Sequence, residues 1–221
     1  MKKICLSILN VEDEKKEEII NKVMNQDIYI HFDIMDKKFV KPSGVKLEYI
    51  KLAKKYNKYS DVHLMVINPK NDNYIDKAID YGANSISIHY EIDDFEKNLN
   101  YLIKKKEELR LEKRDLSIGI ALKPDTNIMV IEKYKNEIDK VLIMSVEPGY
   151  GGQKYIENTD LKVKEARKLY KNLKLEVDGG INFDVIKKHN LEDIQEFVIG
   201  NYLVSSENIS LSIKNINSII N

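Results

Sequence analysis

Short apolar segments alternate with longer amphipathic segments along the whole chain. The apolar segments have the length of strands, and the amphipathic ones repeat apolar residues at helical spacing, as Ile19, Ile20, Val23 and Met24 do. The pattern predicts strands at residues 4–9, 28–35, 61–66, 85–89, 117–121, 141–145, 175–178 and 196–199. It predicts helices near residues 13–25, 45–57, 71–81, 93–110, 127–137, 159–171, 182–189 and 208–220.

This alternation is typical of an α/β protein, the (β/α)8 or TIM barrel, built as a single domain over residues 1–221. A doubly wound open sheet is the alternative, but it rarely needs so many evenly spaced strand–helix units. The glycine fingerprint of dinucleotide-binding folds is also missing after the first strand. The barrel makes a specific prediction, because its functional residues lie at the C-terminal ends of the strands.

Composition narrows the possible partners. The 36 basic and 36 acidic residues cancel, which argues against nucleic acid or an anionic membrane as the main partner. A single cysteine, Cys5, cannot form a disulfide framework and fits a reducing compartment. The sequence has no apolar run of about 18 residues and no room for a signal peptide before the first strand, so we expect a cytoplasmic protein without a membrane span.

The second predicted strand carries polar side chains on one face of an apolar segment. Alternation places His31, Asp33 and Met35 together, and a buried charge is expensive unless it is paired or bound to a metal. Strand three adds His63 and strand seven ends in Asp178, and barrel closure brings the three strands around one mouth. A lone residue of this kind is more often a core histidine or a helix cap. Two imidazoles and two carboxylates at strand ends instead predict a divalent transition-metal site with positions left open for a substrate.

Glycine-rich turns follow the last three predicted strands. Glycine lets backbone N–H groups approach an anion, and a following helix N-terminus adds a favourable dipole. Turns of this kind on neighbouring strands predict a phosphate site. Its residues are Gly149, Tyr150, Gly151 and Gly152 after strand six, Gly179 and Gly180 after strand seven, and Gly200 and Asn201 after strand eight.

Taken together, these motifs resemble those of the ribulose-phosphate 3-epimerase family over most of the chain. The matching segments are HFDIMD at residues 31–36, DVHLM at 61–65, MSVEPGYGGQ at 144–153 and EVDGGIN at 176–182. His89 corresponds to the family's strand-four histidine, and residues 121–126 are similar to its strand-five segment.

The resemblance implies an isomerase of the pentose phosphate pathway that interconverts D-ribulose 5-phosphate and D-xylulose 5-phosphate. The reaction would be a two-base proton transfer at C3 through an enediolate, with Asp33 and Asp178 as the acid–base pair. One divalent metal ion (Zn, Fe, Mn or Co) would be held by His31, Asp33, His63 and Asp178. Ser7 would hydrogen-bond the substrate, Met35, Met65 and Met144 would lie beneath it, and the glycine turns would hold its phosphate. The family also favours a homo-oligomer.

The loop after the second strand departs from the family pattern. Residues 37–44 are shorter and more basic than the loop that helps to cover the family's active site. Two alternatives therefore stay open: a hexulose 6-phosphate such as allulose 6-phosphate as substrate, and a non-catalytic protein that binds metal and phosphosugar. A metal-dependent aldolase is a lesser option, because its enediolate chemistry is related.

Overall fold

The apolar segments become eight parallel strands that pair in sequence order and close into a barrel, β1-β2-β3-β4-β5-β6-β7-β8. We describe a computed structural model, which covers residues 1–189 and 191–221. The strands are β1 (Lys3–Ser7), β2 (Tyr29–Met35), β3 (Ser60–Met65), β4 (Ser85–His89), β5 (Ser117–Leu122), β6 (Lys140–Met144), β7 (Lys174–Asp178) and β8 (Glu196–Ile199). The predicted (β/α)8 fold is thus confirmed.

Helical segments connect the strands. The α-helices are α1 (Lys16–Lys22), α2 (Ile50–Lys55), α3 (Tyr74–Tyr81), α4 (Phe95–Leu111), α5 (Thr159–Leu169), α6 (Phe183–His189), α7 (Asn201–Val204) and α8 (Ile209–Ile220). Short 3-10 helices span Asp13–Lys15, Leu47–Tyr49 and Ile128–Lys133. Among the residues that the structure describes, no helix has both the length and the apolarity to cross a membrane.

The sequence prediction differs from the structure in two connections. The segment predicted as a helix at 127–137 is a 3-10 helix over Ile128–Lys133. Its buried residues recur every third position, at Ile128, Ile131 and then Tyr134, which matches the period of a 3-10 helix rather than that of an α-helix. The short helix α7, directly after β8, was not predicted, because four residues are too few to show an apolar period.

The two faces of the barrel strands have opposite character. Outward-facing residues such as Ile30, Phe32 and Ile34 join the main hydrophobic core between the sheet and the helices. Inward-facing residues are largely polar, although branched apolar residues usually fill this space in such barrels. In the parallel register of β2 and β3, His31 lies beside Asp61 and Asp33 lies beside His63. The polar residues of neighbouring strands therefore meet inside the barrel.

Candidate active site

Four side chains from β2, β3 and β7 meet at the C-terminal mouth of the barrel. One potential ligand atom from each of His31, Asp33, His63 and Asp178 lies within 4.8 Å of the others. Nε2 of His31 is 3.3 Å from Asp33 Oδ1 and 3.9 Å from Asp178 Oδ2, and Nδ1 of His63 is 3.4 Å and 3.5 Å from the same two oxygens. Ligands at about 2.0–2.1 Å from a tetrahedral ion are about 3.3–3.4 Å apart, so this spacing suits a metal ion.

The two imidazole nitrogens that face the cluster support the same interpretation. Nε2 of His31 and Nδ1 of His63 are buried, and neither meets the geometry of a hydrogen bond with any group in the described part of the chain. A buried polar atom without a partner is costly unless something else satisfies it. A cation between these nitrogens and the two carboxylates would do so, and the residues therefore fit a metal ion.

A second set of polar groups holds the outer nitrogens of both imidazoles. Nδ1 of His31 lies 2.6 Å from Asp61 Oδ2. Nε2 of His63 lies 2.9 Å from Nε2 of His89, whose Nδ1 lies 3.0 Å from Glu91 Oε2. Since a carboxylate only accepts hydrogen bonds, each chain ends in an acceptor that fixes the ring orientation, as outer partners of metal-binding histidines do.

The charges in the cluster reinforce one another. Burial disfavours a charged imidazole at His31, but Asp33 and Asp61 outweigh it and raise the pKa of His31 above its usual value. Burial acts likewise on His63, where Asp178 and Asp33 prevail and raise the pKa. Burial would raise the pKa of Asp33, yet the two imidazoles lower it well below its usual range. The site therefore attracts positive charge, as protons or as a metal ion.

A cavity of about 360 Å³ opens beside this cluster. Asp33 and Asp178 line it, together with Ser7, Met65 and Met144. The Ser7 hydroxyl donates a hydrogen bond to Asp33 Oδ2 at 2.8 Å. On the other side, the Ser145 hydroxyl donates to the backbone carbonyl of Asp178 at 2.9 Å, which anchors the end of β7. Both carboxylates thus face one cavity from positions that neighbouring hydroxyls hold.

The glycine turns after β6, β7 and β8 form the far wall of the same cavity. Its lining includes all eight residues predicted to bind phosphate, namely Gly149, Tyr150, Gly151, Gly152, Gly179, Gly180, Gly200 and Asn201. Gly180 has φ +66°, and a Cβ there would lie 2.5 Å from the backbone nitrogen of Tyr155. A side chain at this position would therefore push into the neighbouring backbone, and the turn favours glycine.

The combination of a His/Asp cluster and glycine turns matches a known protein family. The ribulose-phosphate 3 epimerase family profile matches residues 3–204. The chain belongs to this family. It is 33% identical to the ribulose-phosphate 3-epimerase of Schizosaccharomyces pombe over 83% of this chain and 78% of that protein. It is 33% identical to the enzyme of that name from Buchnera aphidicola subsp. Baizongia pistaciae over 100% of this chain and 97% of that protein. The predicted membership of the ribulose-phosphate 3-epimerase family, and with it the enzyme class, is confirmed.

Solved structures show the same barrel at low sequence identity. KGPDC from Streptococcus mutans has a TM-score of 0.75 at 13% identity, covering 100% of this chain and 97% of that chain. The 3-hexulose-6-phosphate synthase from Salmonella typhimurium has a TM-score of 0.74 at 13% identity, covering 100% and 98%. At this identity the two structures support the TIM-barrel fold and nothing about the reaction.

In this ribulose-phosphate 3-epimerase family member, the short loop at 37–44 crosses the mouth of the barrel. The Phe39 ring lies 4.6 Å from the His89 ring of β4 and 4.5 Å from Nζ of Lys123 after β5. A Cβ at Gly149, beyond β6, would be 3.3 Å from both Val40 and Pro42. The loop thus runs from β2 to the opposite side of the barrel and covers the cluster despite its length.

The structure places Met35 differently from the other predicted substrate contacts. Met35 is not among the residues that line the cavity; it packs with Val40 and Met65 beneath the loop at 37–44. Met65 and Met144 do line the cavity, as expected for residues beneath a substrate. The loop covers Met35 because it folds back onto β2, where Val45 donates a backbone hydrogen bond to the Asp33 carbonyl at 2.7 Å.

Sequence reasoning missed the buried charges below the cluster. Asp61, Lys140, Glu176 and Glu196 are at most 4% exposed and share the barrel interior. The alternation of strand faces could have identified two of them. Asp61 and Glu176 each precede a cluster residue of the same strand by two positions, so each shares its inward face. Lys140 had no such signal, since an isolated lysine at the start of a strand normally points to solvent.

Proposed function

We propose that this enzyme interconverts D-ribulose 5-phosphate and D-xylulose 5-phosphate by moving a proton at C3. The observation that carries the proposal is the pairing of two carboxylates with a cation-attracting cluster in a cavity whose far wall is a set of glycine turns. The names of the relatives point to the same substrate. A cytoplasmic setting and a homo-oligomer remain predictions from the sequence.

The chemistry requires one group to remove a proton and another to deliver one to the opposite face. Asp33 approaches the cavity from β2, and Asp178 approaches it from β7. In one direction one carboxylate takes the C3 proton, an enediolate forms, and the other carboxyl group returns a proton to the other face. The two residues exchange roles in the reverse direction, so the enzyme regains its starting protonation after a forward and a return cycle.

The environment of each carboxylate supports its role. The low pKa of Asp33 keeps its carboxylate ionised, and the hydrogen bond from Ser7 fixes its Oδ2. Ser7 would thus have two roles, a direct hydrogen bond to the substrate and the orientation of Asp33. The side chain of Asp178 is 14% exposed and therefore faces the open part of the cavity.

His31, Asp33, His63 and Asp178 would hold the metal ion. When bound, a divalent ion of the group Zn, Fe, Mn or Co supplies Lewis-acid stabilisation of the negative charge that builds up on the sugar oxygens. The histidines contribute neutral nitrogen ligands, and their outer partners Asp61 and His89 keep the ligating atoms turned towards the cluster.

The glycine turns would hold the phosphate of the substrate. Backbone N–H groups bind phosphate oxygens without a lysine or arginine, and the turns after β6, β7 and β8 converge on one wall. Asn10 donates a hydrogen bond to Asn201 Oδ1 at 2.6 Å, which fixes the turn after β8. A phosphate held there would keep C3 between the two carboxylates, since a fixed anchor removes the freedom of the rest of the sugar.

The experiment is an epimerisation assay of metal-reconstituted protein in deuterated water. We expect turnover of D-ribulose 5-phosphate with deuterium incorporated at C3. Asp33→Asn and Asp178→Asn should each reduce kcat by about 10²-fold or more, because each removes one of the two proton carriers. Asp184→Asn is the matched control, since this aspartate is exposed in the first turn of α6 and lies outside the cavity.

The binding protein and the hexulose-phosphate epimerase each have their own outcome in this assay. Protein that binds metal and phosphosugar without turnover would be a binding protein. Faster turnover of D-allulose 6-phosphate than of D-ribulose 5-phosphate would make the enzyme a hexulose-phosphate epimerase with the same residues. Turnover without deuterium at C3 would contradict proton transfer, and unchanged activity in His31→Ala would remove the metal site.

A further inference from the structure

A buried lysine lies one layer below the proposed metal cluster. Lys140 is 1% exposed inside the barrel, and its ammonium group contacts three buried carboxyl groups, those of Asp61, Glu176 and Glu196. Nζ lies 2.6 Å from Glu176 Oε2 and 3.4 Å from Glu196 Oε2, and it forms a short contact with Asp61 Oδ1. A lysine is almost never fully buried unless it is paired, so a specific arrangement holds this one.

The contact with Asp61 connects Lys140 to the metal cluster. The carboxylate of Asp61 uses its two oxygens for different partners, Oδ1 for Lys140 and Oδ2 for Nδ1 of His31 at 2.6 Å. Because the imidazole ring is rigid, the direction of Nδ1 determines the direction of Nε2. Nε2 of His31 is the buried atom that faces Asp33 and has no hydrogen-bond partner in the described ranges 1–189 and 191–221.

The barrel interior leaves room for the lysine side chain. At the neighbouring position of β5, Gly119 pairs with Lys140, and a Cβ there would lie 3.0 Å from Lys140 Cγ. The stem therefore passes over a residue that has no side chain. Without the ammonium group, the carboxyl groups of Asp61, Glu176 and Glu196 would lie together in the buried interior without the charge of the lysine, and Asp61 would lose the partner that fixes its Oδ1.

We propose that Lys140 is a positioning residue for the metal site. Lys140 orients Asp61, and Asp61 in turn holds His31 with its Nε2 towards the cluster. This inference rests on the proposed metal site. It extends the chain of outer contacts by one residue, from His31 through Asp61 to Lys140. Groups that orient a metal ligand typically change metal affinity by about 10–100-fold when they are lost.

The test measures the metal affinity of the chain itself, by competition with a chelator for Zn²⁺ and for Mn²⁺. Lys140→Met keeps the length of the stem and removes the charge, and we expect it to weaken affinity by about 10-fold or more. Lys174→Met is the matched control. Lys174 pairs with Lys140 across β6 and β7 and contacts Glu196 at 3.3 Å, but its side chain is half exposed and it has no contact with Asp61 among the described ion pairs. Its removal should leave metal affinity unchanged.

A double-mutant cycle separates positioning from a purely structural role. If Lys140 acts through Asp61, Lys140→Met in the background of Asp61→Asn should change affinity far less than it does in the wild type. A structural role would lower the melting temperature of Lys140→Met while leaving the affinity of the folded protein at the wild-type value, and that result would overturn the proposal.

Poor folding of Lys140→Met would not leave the question open. The variant with Lys140→Met, Glu176→Gln and Glu196→Gln also removes the two other carboxyl groups that contact the ammonium group, and it leaves Asp61 and His31 unsubstituted. We expect it to bind metal more weakly than Glu176→Gln with Glu196→Gln alone, and equal affinity would contradict the proposal. If the wild type itself bound no metal, the proposed metal site would fail together with this inference. If the wild type and the Lys140→Met variants bound metal equally well, only this inference would fail.

Discussion

The buried imidazole of His89 should make the stability of the protein depend on pH in a specific window. His89 is fully buried between Nε2 of His63 and the carboxylate of Glu91. Burial, together with the charge of His63, lowers the pKa of His89 to about 4, although its hydrogen bond with Glu91 acts in the opposite direction. The usual value in an unfolded chain is about 6.5.

The sign and size of the effect follow from these two values. As the pH falls below about 6.5 the unfolded chain takes up a proton at this position, while the folded protein stays neutral there until about pH 4. The unfolded state then binds more protons, so the free energy of unfolding falls. Between pH 7.5 and pH 5 the linkage relation gives a loss of about 2 kcal/mol from this residue.

The comparison is urea denaturation of the wild type and of His89→Gln at pH 7.5 and pH 5, both in the presence of a chelator. Glutamine cannot titrate, and its amide can accept from His63 and donate to Glu91. In the wild type Glu91 stays ionised across the window, because its hydrogen bonds with His89 and Thr126 outweigh burial and lower its pKa to about 2. Groups that titrate in both proteins cancel in the difference.

The wild type should therefore lose about 2 kcal/mol more than the variant between the two pH values. If the free energies of unfolding of the wild type and of His89→Gln differ by the same amount at both pH values, the reasoning is refuted. His89 would then already be protonated in the folded protein, and it could not accept the hydrogen bond from Nε2 of His63.

Three further predictions concern the phosphate turns, the barrel interior and the metal ligands. Gly180→Ala should raise the KM for the phosphosugar by about tenfold, because the left-handed backbone and the nearby backbone of Tyr155 disfavour a Cβ. Equal KM values of variant and wild type in steady-state kinetics would contradict the phosphate role. Gly119→Ala should lower the free energy of unfolding by about 1–3 kcal/mol, since its Cβ would collide with Ser87 Oγ, and pairing it with Ser87→Gly in the same urea assay should recover much of the loss. Metal affinity should fall as the pH falls from 8 to 6, because the raised pKa values of His31 and His63 make protons compete with the ion; a flat profile in chelator competition would mean that neither imidazole binds it.

The sequence predicted the barrel because the strands are apolar on their outward face and because apolar residues recur at helical spacing in the segments between them. It also predicted the cluster, since His31 and Asp33 stand two positions apart on an otherwise buried strand. It did not predict the pairing of His63 with His89 and Glu91. Those contacts depend on the register between β3 and β4 and on how far each side chain reaches, and a single sequence contains neither quantity.

The loop at 37–44 illustrates the same limit. Its length and charge differ from the family pattern, and this difference left alternative substrates and a non-catalytic role open. In the structure Phe39 lies over His89, and Val40 and Pro42 lie against Gly149, so a few apolar residues suffice to span the mouth. Loop length alone was a poor guide, because contact with the opposite rim depends on where the side chains point.

The depth of the cluster has a consequence for the order in which ligands arrive. His31 and His63 are 0% exposed, the loop at 37–44 covers the cluster, and Asp33 and Asp178 are the cluster residues that line the cavity. An ion and a sugar phosphate would therefore share one route, with the ion at its inner end. The ion would have to load first and leave last, so saturating phosphosugar should slow the removal of bound metal by a chelator. The cell would then retain its metal best when substrate is plentiful, and the idle enzyme would be the form that exchanges its ion.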